Sequence, residues 1–392
     1  MNAPKLRFKE FNDEWKNKNL SELVSFSKGN LLSKSDLDEN GVYPCILYGQ
    51  LYTTYHEVIR KVYYKTNNNS KNITRSKYGD ILIPSSGETP IDISTSSCLL
   101  LDNILLGGDI NILSPTNCDG RFISYMINNN KRTEIAKVAQ GHSIVHLYNE
   151  NLKKVNLQIP TMNEQIKIAN ALELLDKKLE LQTKKIEDLK LFKKGLLYVT
   201  FNNKTKNTTI ENCINYGKAG GTPSSSNKDY YNGNIPFLSI SDITNQGKYI
   251  FSTEKMISQK GLDNSSSWIV PKNSLILSMY ASYGLVAINK IELSTSQAMF
   301  NMIIKNNNIE YIYYYLEYLY QNNYYDKLVS TGTQSNLNAN KVKNIKIYLP
   351  NIEEQNNIAN IFNCVDNKIY YEYKKMNNLI KLKKGLMQNL FV

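Results

Sequence analysis

The sequence predicts an α+β protein in which two globular domains are separated by two long helices forming an antiparallel coiled coil, with internal two-fold pseudo-symmetry. Three observations predict it. The segment Pro160–Phe201 returns as Pro350–Phe391 without a gap, 190 residues further on. Each copy carries a 4-3-4-3 alternation of seam residues, the pattern of a helix that packs along one narrow line on another helix. The stretches outside the copies are short β-rich runs broken by Gly, Pro, Asn and Ser. The segments are 1–159 (first domain), 160–201 (first helix), 202–349 (second domain) and 350–392 (second helix).

Composition narrows the class before any motif is read. With 392 residues the chain exceeds one small module. Its 41% hydrophobic and 21% charged residues supply enough apolar material for real cores and argue against a disordered chain. No apolar run is long enough to span a membrane, and no apolar stretch follows the basic residues at the start, so a cytoplasmic location is expected. Cys45, Cys98, Cys118, Cys213 and Cys364 are odd in number and far apart, which argues against a disulfide framework and a zinc site. The net charge of +12 favours a polyanionic partner and is spread over all four segments.

In the first domain, Ile81-Leu82-Ile83-Pro84 and Ile110-Asn111-Ile112-Leu113 read as strands and the region near 121–139 as helix. Two polar glycine loops stand out, Ser27-Lys28-Gly29-Asn30 and Gln140-Gly141-His142-Ser143. His142 and His146 have ligand-like spacing, but no third ligand accompanies them and the glycine before them argues for a loop.

The first helix opens after Pro160 and runs about 36 residues, about 54 Å at 1.5 Å per residue. Its seam comprises Leu172, Leu175, Leu179, Gln182, Ile186 and Leu189. The second helix repeats the phase with Phe362, Val365, Ile369, Glu372, Met376 and Leu379. A two-fold arrangement of the copies runs the helices antiparallel and sets the polar midpoints Gln182 and Glu372 opposite each other, where buried polar groups fix register.

In the second domain, Ile235-Pro236-Phe237-Leu238 and Leu275-Ile276-Leu277-Ser278 read as strands. The Tyr-rich run Tyr311–Tyr325 invites reading as a base-stacking platform, but Ile312, Tyr315, Leu316 and Leu319 recur at helical spacing, so it is read as a core helix. Gly217–Ser226 reads as a flexible glycine-rich loop with a cation and hydroxyls, suited to bring backbone N–H groups to phosphates, and it pairs by the same offset with Ser27–Asn30. Ser330–Asn336 is the counterpart of the 140–143 loop.

Catalytic signatures are missing. The chain has no phosphate-binding G-x-x-x-x-G-K-[ST] loop, no G-x-G-x-x-G fingerprint, no H-E-x-x-H, no [DN]-P-P-[YF] tetrapeptide and no nuclease core. It reads as a binder.

Two divergent domains, each followed by a near-identical helix that opens Pro-x-x-x-Glu-Gln and closes Lys-Lys-Gly-Leu, resemble the specificity (S) subunit of type I restriction-modification systems. Leu6-Arg7-Phe8 with Trp15, Tyr48-Gly49-Gln50-Leu51-Tyr52-Thr53 and Gly221-Thr222-Pro223 add to the resemblance, which covers essentially the whole chain. It implies that the two variable regions are target recognition domains, each reading half of a bipartite, asymmetric site on double-stranded DNA, with an unread spacer set by the helices. It also implies docking of two modification (methyltransferase) subunits, and of restriction subunits in the full complex. S-adenosylmethionine, ATP and Mg belong to those partners, with no cofactor, metal or catalysis in this chain. Gln50 departs from the family's Tyr-Gly-Glu, so the first half-site is not inferable by analogy.

Loop position and side-chain chemistry then nominate DNA contacts. In the first domain these are Lys28, Asn30, Lys34, Tyr48, Gln50, Tyr52, His142 and Ser143. In the second they are Lys218, Gly221, Thr222, Ser239, Ser241, Tyr280, Thr333, Gln334 and Ser335. The alternatives are a stand-alone bipartite DNA-binding regulator and a fused methyltransferase-nuclease.

Overall fold

The structure is a computed structural model that describes residues 3–141, 144–280, 282–329 and 337–392. Its contacts divide the chain into two units, residues 1–183 with 374–392 (unit 1) and residues 184–373 (unit 2). The division falls inside the two long helices, Met162–Phe201 and Ile352–Leu390, so each unit holds the start of one helix and the end of the other. The helices have 40 and 39 residues, slightly longer than the periodicity alone marks out.

Unit 1 is built on a five-stranded sheet in the order Val24–Lys28, Ile110–Pro115, Asp80–Pro84, Ser97–Leu99, Val58–Ile59. The first four strands pair antiparallel, with Asn111 opposite Lys28 and Ile112 opposite Leu82, and the last pair is parallel. Tyr43–Ile46 sits between Tyr64–Thr66 and Leu105–Leu106 in a smaller sheet. Asp80–Pro84 is buried on both faces, and its near-continuous apolar run fits a strand with no solvent side. The helix near 121–139 is present as Gly120–Met126 and Arg132–Val138, joined by a single π-helical turn.

Unit 2 repeats this topology although the two sequences have diverged. Its five-stranded sheet runs Ile214–Ala219, Met299–Ile304, Leu275–Ser278, Val286–Asn289, Tyr249–Ile250, and its smaller sheet has Ile235–Leu238 between Lys255–Ile257 and Ser294–Thr295. The last strand of each large sheet is again the parallel one. Alternating apolar residues on these strands and the helix Ile309–Gln321 close the core. Tyr311, Tyr314 and Tyr315 are buried in it, so this run packs a core and offers no stacking platform.

Each unit ties the long helices in by the same devices at positions 190 apart. The Gln165 side chain accepts from the Asp119 N–H at 3.0 Å and donates to the Pro160 carbonyl at 3.0 Å. In unit 2 Gln355 accepts from the Asn308 N–H at 3.0 Å and donates to the Pro350 carbonyl at 2.9 Å. Asp119 and Asn308 cap the N-termini of the domain helices that follow them, so one glutamine fixes a capped helix start to a long helix. Phe391 packs on Phe122 in the core of unit 1, and Phe201 packs among Tyr311, Tyr315, Tyr318 and Phe362 in that of unit 2.

Along the seam of the first helix, Leu172, Leu175 and Ile186 are buried and Leu179, Gln182 and Leu189 are partly so. On the second helix Phe362 and Glu372 are buried and Val365, Ile369, Met376 and Leu379 partly so. In unit 1, Asp176 meets Lys383 at 2.6 Å and Thr183 meets Met376 at 3.8 Å. In unit 2, Lys185 meets Glu372 at 2.9 Å and Lys193 meets Asp366 at 2.8 Å. Numbers rise on one helix as they fall on the other, so the pairing is antiparallel within each unit. The Glu372 side chain is 1% exposed and pairs in the seam with Lys185 and Lys368.

Candidate nucleic-acid interface

Two half-buried ion-pair clusters join helix to domain, one in each unit. Lys193 bridges Asp366 at 2.8 Å and Glu317 at 2.9 Å. Lys383, its counterpart, bridges Asp176 at 2.6 Å and Glu57 at 3.0 Å. Burial works against both ammonium charges, yet the two carboxylates on each outweigh it and hold both lysines above the ordinary lysine value. The heptad spacing continues past Leu189 and Leu379 to Lys193 and Lys383, so by spacing alone these lysines are no more than seam positions. The repeated Lys-Lys-Gly-Leu together with Asp176 and Asp366 at the same offset was the signal for a salt link, but Glu57 and Glu317 carry no repeat that would have named them.

Arg7 makes a two-pronged contact with the buried Glu164, 2.7 Å from each nitrogen, and Trp15 Nε1 donates to the same carboxylate at 3.4 Å. The opening residues are therefore an anchor for the first helix.

Several nominated contacts are turned inward. Gln50 is 7% exposed, and its Oε1 accepts from the Leu47 N–H at 3.0 Å, capping the short helix Tyr48–Thr53. Asp242 does the same for Ile240–Gln246 in unit 2, accepting from the Ser239 N–H at 2.8 Å and from its hydroxyl at 2.6 Å. Position 50 thus requires an acceptor, which an amide supplies as well as a carboxylate, and Ser239 is occupied as a cap. Tyr48 packs against the cluster around Ile46 and Leu51. Tyr52 lies beside Gly87, half-buried, and burial pushes its phenol up. Tyr280 packs against the unit 2 core.

The glycine-rich segment is a second correction. Ile214–Ala219 is a strand, and Gly220 and Gly221 are buried: a Cβ on Gly220 would lie 2.2 Å from Thr295 oxygens, and one on Gly221 2.3 Å from the Ser267 nitrogen. These glycines permit close backbone packing and do not form an open phosphate cradle. Thr222 is exposed, but its hydroxyl accepts from the Gln297 N–H at 3.3 Å.

Lys28, Asn30, Lys34, Lys218 and Ser241 remain exposed. Asn30 is held in place, donating to the Asn72 carbonyl at 3.0 Å and accepting from the Thr74 N–H at 2.9 Å. His142, Ser143, Thr333, Gln334 and Ser335 lie outside the described residues. His146 faces the Ser86 hydroxyl at 3.1 Å. Among the described residues no group of His, Cys, Asp and Glu is arranged to hold a metal ion, and no helix is long and apolar enough to cross a membrane.

The sequence pattern described as the type I restriction modification DNA specificity domain matches residues 12–191 and again 202–382. The chain is 32% identical over 175 residues to the specificity subunit of the type I restriction enzyme MjaIX of Methanocaldococcus jannaschii, a match that covers 44% of this chain and 40% of that protein. It is 31% identical over 169 residues to the HindI specificity subunit of Haemophilus influenzae, covering 40% of this chain and 36% of that one. The matched stretch thus spans under half the length of each of these relatives. In fold it is similar to the crystal structure of a type I restriction-modification S subunit from M. genitalium, with a TM-score of 0.63 and 18% identity over 100% of this chain and 99% of that one.

Proposed function

The chain belongs to the family of type I restriction-modification DNA specificity domains, and from that premise we propose that it is the sequence-reading subunit of a DNA modification complex, each unit reading one half of a bipartite, asymmetric duplex site. The observation that carries this reading is one scaffold used twice under two divergent sequences: sheet order, helix joints and seam recur, while most of the residues of the two domains differ. Two domains on one duplex gain from effective concentration, so neither half-site needs high affinity alone. The two helices set the unread interval between half-sites. Methyl transfer with S-adenosylmethionine, and ATP- and Mg-dependent restriction, fall to partner subunits.

Exposed apolar side chains on the long helices support an adaptor over a stand-alone regulator. Leu174, Leu181, Leu191 and Val199 on the first helix, and Ile361, Tyr370 and Tyr371 on the second, are more than half exposed. This many large apolar side chains left open to water on two helices support a protein partner that covers them. Methylome sequencing of a host carrying this chain with a partner methyltransferase tests the reading. An asymmetric two-part methylated motif is expected, and replacing residues 1–159 by another recognition domain should change one half only. Methylation by the purified chain alone would overturn it in favour of a fused enzyme, and failure to co-purify with any methyltransferase subunit would favour the regulator.

A further inference from the structure

We propose that unit 1 grips the DNA backbone through a strip of cations and rings formed by Lys71, Arg75, Lys28, Tyr148 and His146. The inference rests on the reading of the chain as a DNA-binding subunit and assigns the surface for it. Only Lys28 of these was nominated by loop position.

The strip is assembled by hydrogen bonds that bring two distant segments to the end of the edge strand Val24–Lys28. On one side the Thr74 hydroxyl donates to the Lys28 carbonyl at 3.1 Å, and Asn30 clasps the 72–74 backbone through both ends of its amide. This welds the segment carrying Lys71 and Arg75 beside Lys28. On the other side Asn149 donates to the Ser27 carbonyl at 3.4 Å, which sets Tyr148 under Lys28 with the ammonium 5.9 Å from the ring centroid. His146 stacks on Tyr148 at 6.2 Å.

Charge pairing separates this strip from a merely solvated basic face. Of the five arginines, Arg7, Arg60 and Arg121 are spent on carboxylates, and Arg132 donates to the Ile91 carbonyl. Arg75 is exposed, and its side-chain hydrogen bond is to the neutral Asn69 amide at 2.6 Å, which orients the guanidinium without neutralising it. Among the described residues no carboxylate lies within ion-pair distance of Lys28, Lys71 or Arg75. The nearby acids Asp36 and Asp38 accept from Asn68 and Asn67 and so bound the strip at that end. Arg75, held by Asn69, and Lys28, over Tyr148, are left unneutralised and so release counterions from phosphate at little ordering cost, with Lys71 adding an unpaired exposed cation beside them.

The test uses the full chain and a labelled duplex of mixed sequence, with affinity followed by fluorescence anisotropy from roughly 50 to 200 mM salt. Replacing Lys28, Lys71 or Arg75 by Ala, one at a time, should lower the slope of log affinity against log salt by about 0.9, about an eightfold loss at 0.1 M salt. Lys178→Ala, on an exposed site of the first long helix, should leave the slope unchanged. Lys28→Arg and Lys71→Arg should restore it, which a folding defect would not do. Unchanged slopes in all three alanine variants, with the wild type binding, refute the strip and leave the DNA-reading role standing. A wild type that does not bind duplex refutes both.

Discussion

In unit 1 the domain supplies the cations and the helix the anion: Arg60 and Arg121 each reach Glu173 at 2.6 Å. In unit 2 the helix position 190 residues on is the neutral Asn363, and the domain supplies both signs. Lys248 donates to Asn363 at 2.5 Å and to the Tyr314 hydroxyl at 2.8 Å, while Glu310 stands in the place of Arg121 and accepts from Tyr249 and Asn363. Burial depresses Lys248 to about 8, although Glu310 pulls the other way. The flanking lysine bridges, glutamine ties and phenylalanine plugs keep their places in both units. The comparison teaches that the register of the joint is under tight geometric constraint, whereas the charges inside it are free to exchange so long as they balance locally.

The two tryptophans make the comparison measurable, because Trp15 lies in unit 1 and Trp268 in unit 2. Urea unfolding of single-tryptophan variants then reports each unit separately. The largest effect is expected at the aromatic plugs: Phe201→Ala should cost unit 2 about 4 kcal/mol and Phe391→Ala should cost unit 1 about 3 kcal/mol. The difference follows from four ring neighbours around Phe201 against one at Phe391. Equal losses would show that the plugs are equivalent despite their surroundings.

Next come the lysine bridges. Lys193→Met and Lys383→Met each leave two carboxylates facing each other with little water, at about 3 kcal/mol. Adding Glu317→Gln to the first should recover part of the loss, and a change confined to the wrong tryptophan would refute the assignment of bridge to unit.

The pH response should separate the units qualitatively. Lys248 titrates near 8 in the fold and near the ordinary 10.5 when unfolded. Between those values the unfolded chain binds a proton that the folded one does not, so this residue's contribution to stability rises with pH across that window. Relative to Lys248→Met, unit 2 should gain on the order of 2 kcal/mol from pH 8 to 10, read by Trp268, with no effect of the substitution at Trp15. A flat difference would place the Lys248 charge outside the low-dielectric joint.

The smallest pair compares the helix starts. Arg7→Lys loses a two-pronged contact to a buried carboxylate and should cost unit 1 about 1–2 kcal/mol. Lys204 lies 4.0 Å from Glu354 with both side chains more than 40% exposed, so Lys204→Ala should cost under about 0.5 kcal/mol.

The repeat, the helices, their seam and the core role of the Tyr-rich run were legible because periodicity and offset record burial directly. Other features were not, for reasons that lie in the residues. Gly220 and Gly221 lack a side chain, and a backbone that packs against Thr295 has the same letters as one that cradles phosphate. Gln50 belongs to a motif whose polar group looks available, and only the turn geometry shows it spent on Leu47. The exchange of Arg121–Glu173 for Glu310–Asn363 with Lys248 was hidden because compensation between distant positions leaves no local pattern. The kinship of the two domains was legible in the common offset and the paired loops, but their shared strand order was not, since strand order survives substitutions that erase identity.

The division of the chain also sets an order of assembly. Unit 2 is one continuous stretch, residues 184–373, whereas unit 1 needs Met387, Leu390 and Phe391 to complete its core and bonds the Leu6 N–H to the Asn389 carbonyl at 2.9 Å. On the ribosome, residues 1–183 therefore emerge first and close last. At the usual synthesis rate the wait for residues 374–392 is roughly 10–40 s, during which Phe122 and Trp15 lack part of their cover and the second-made unit can already be folded.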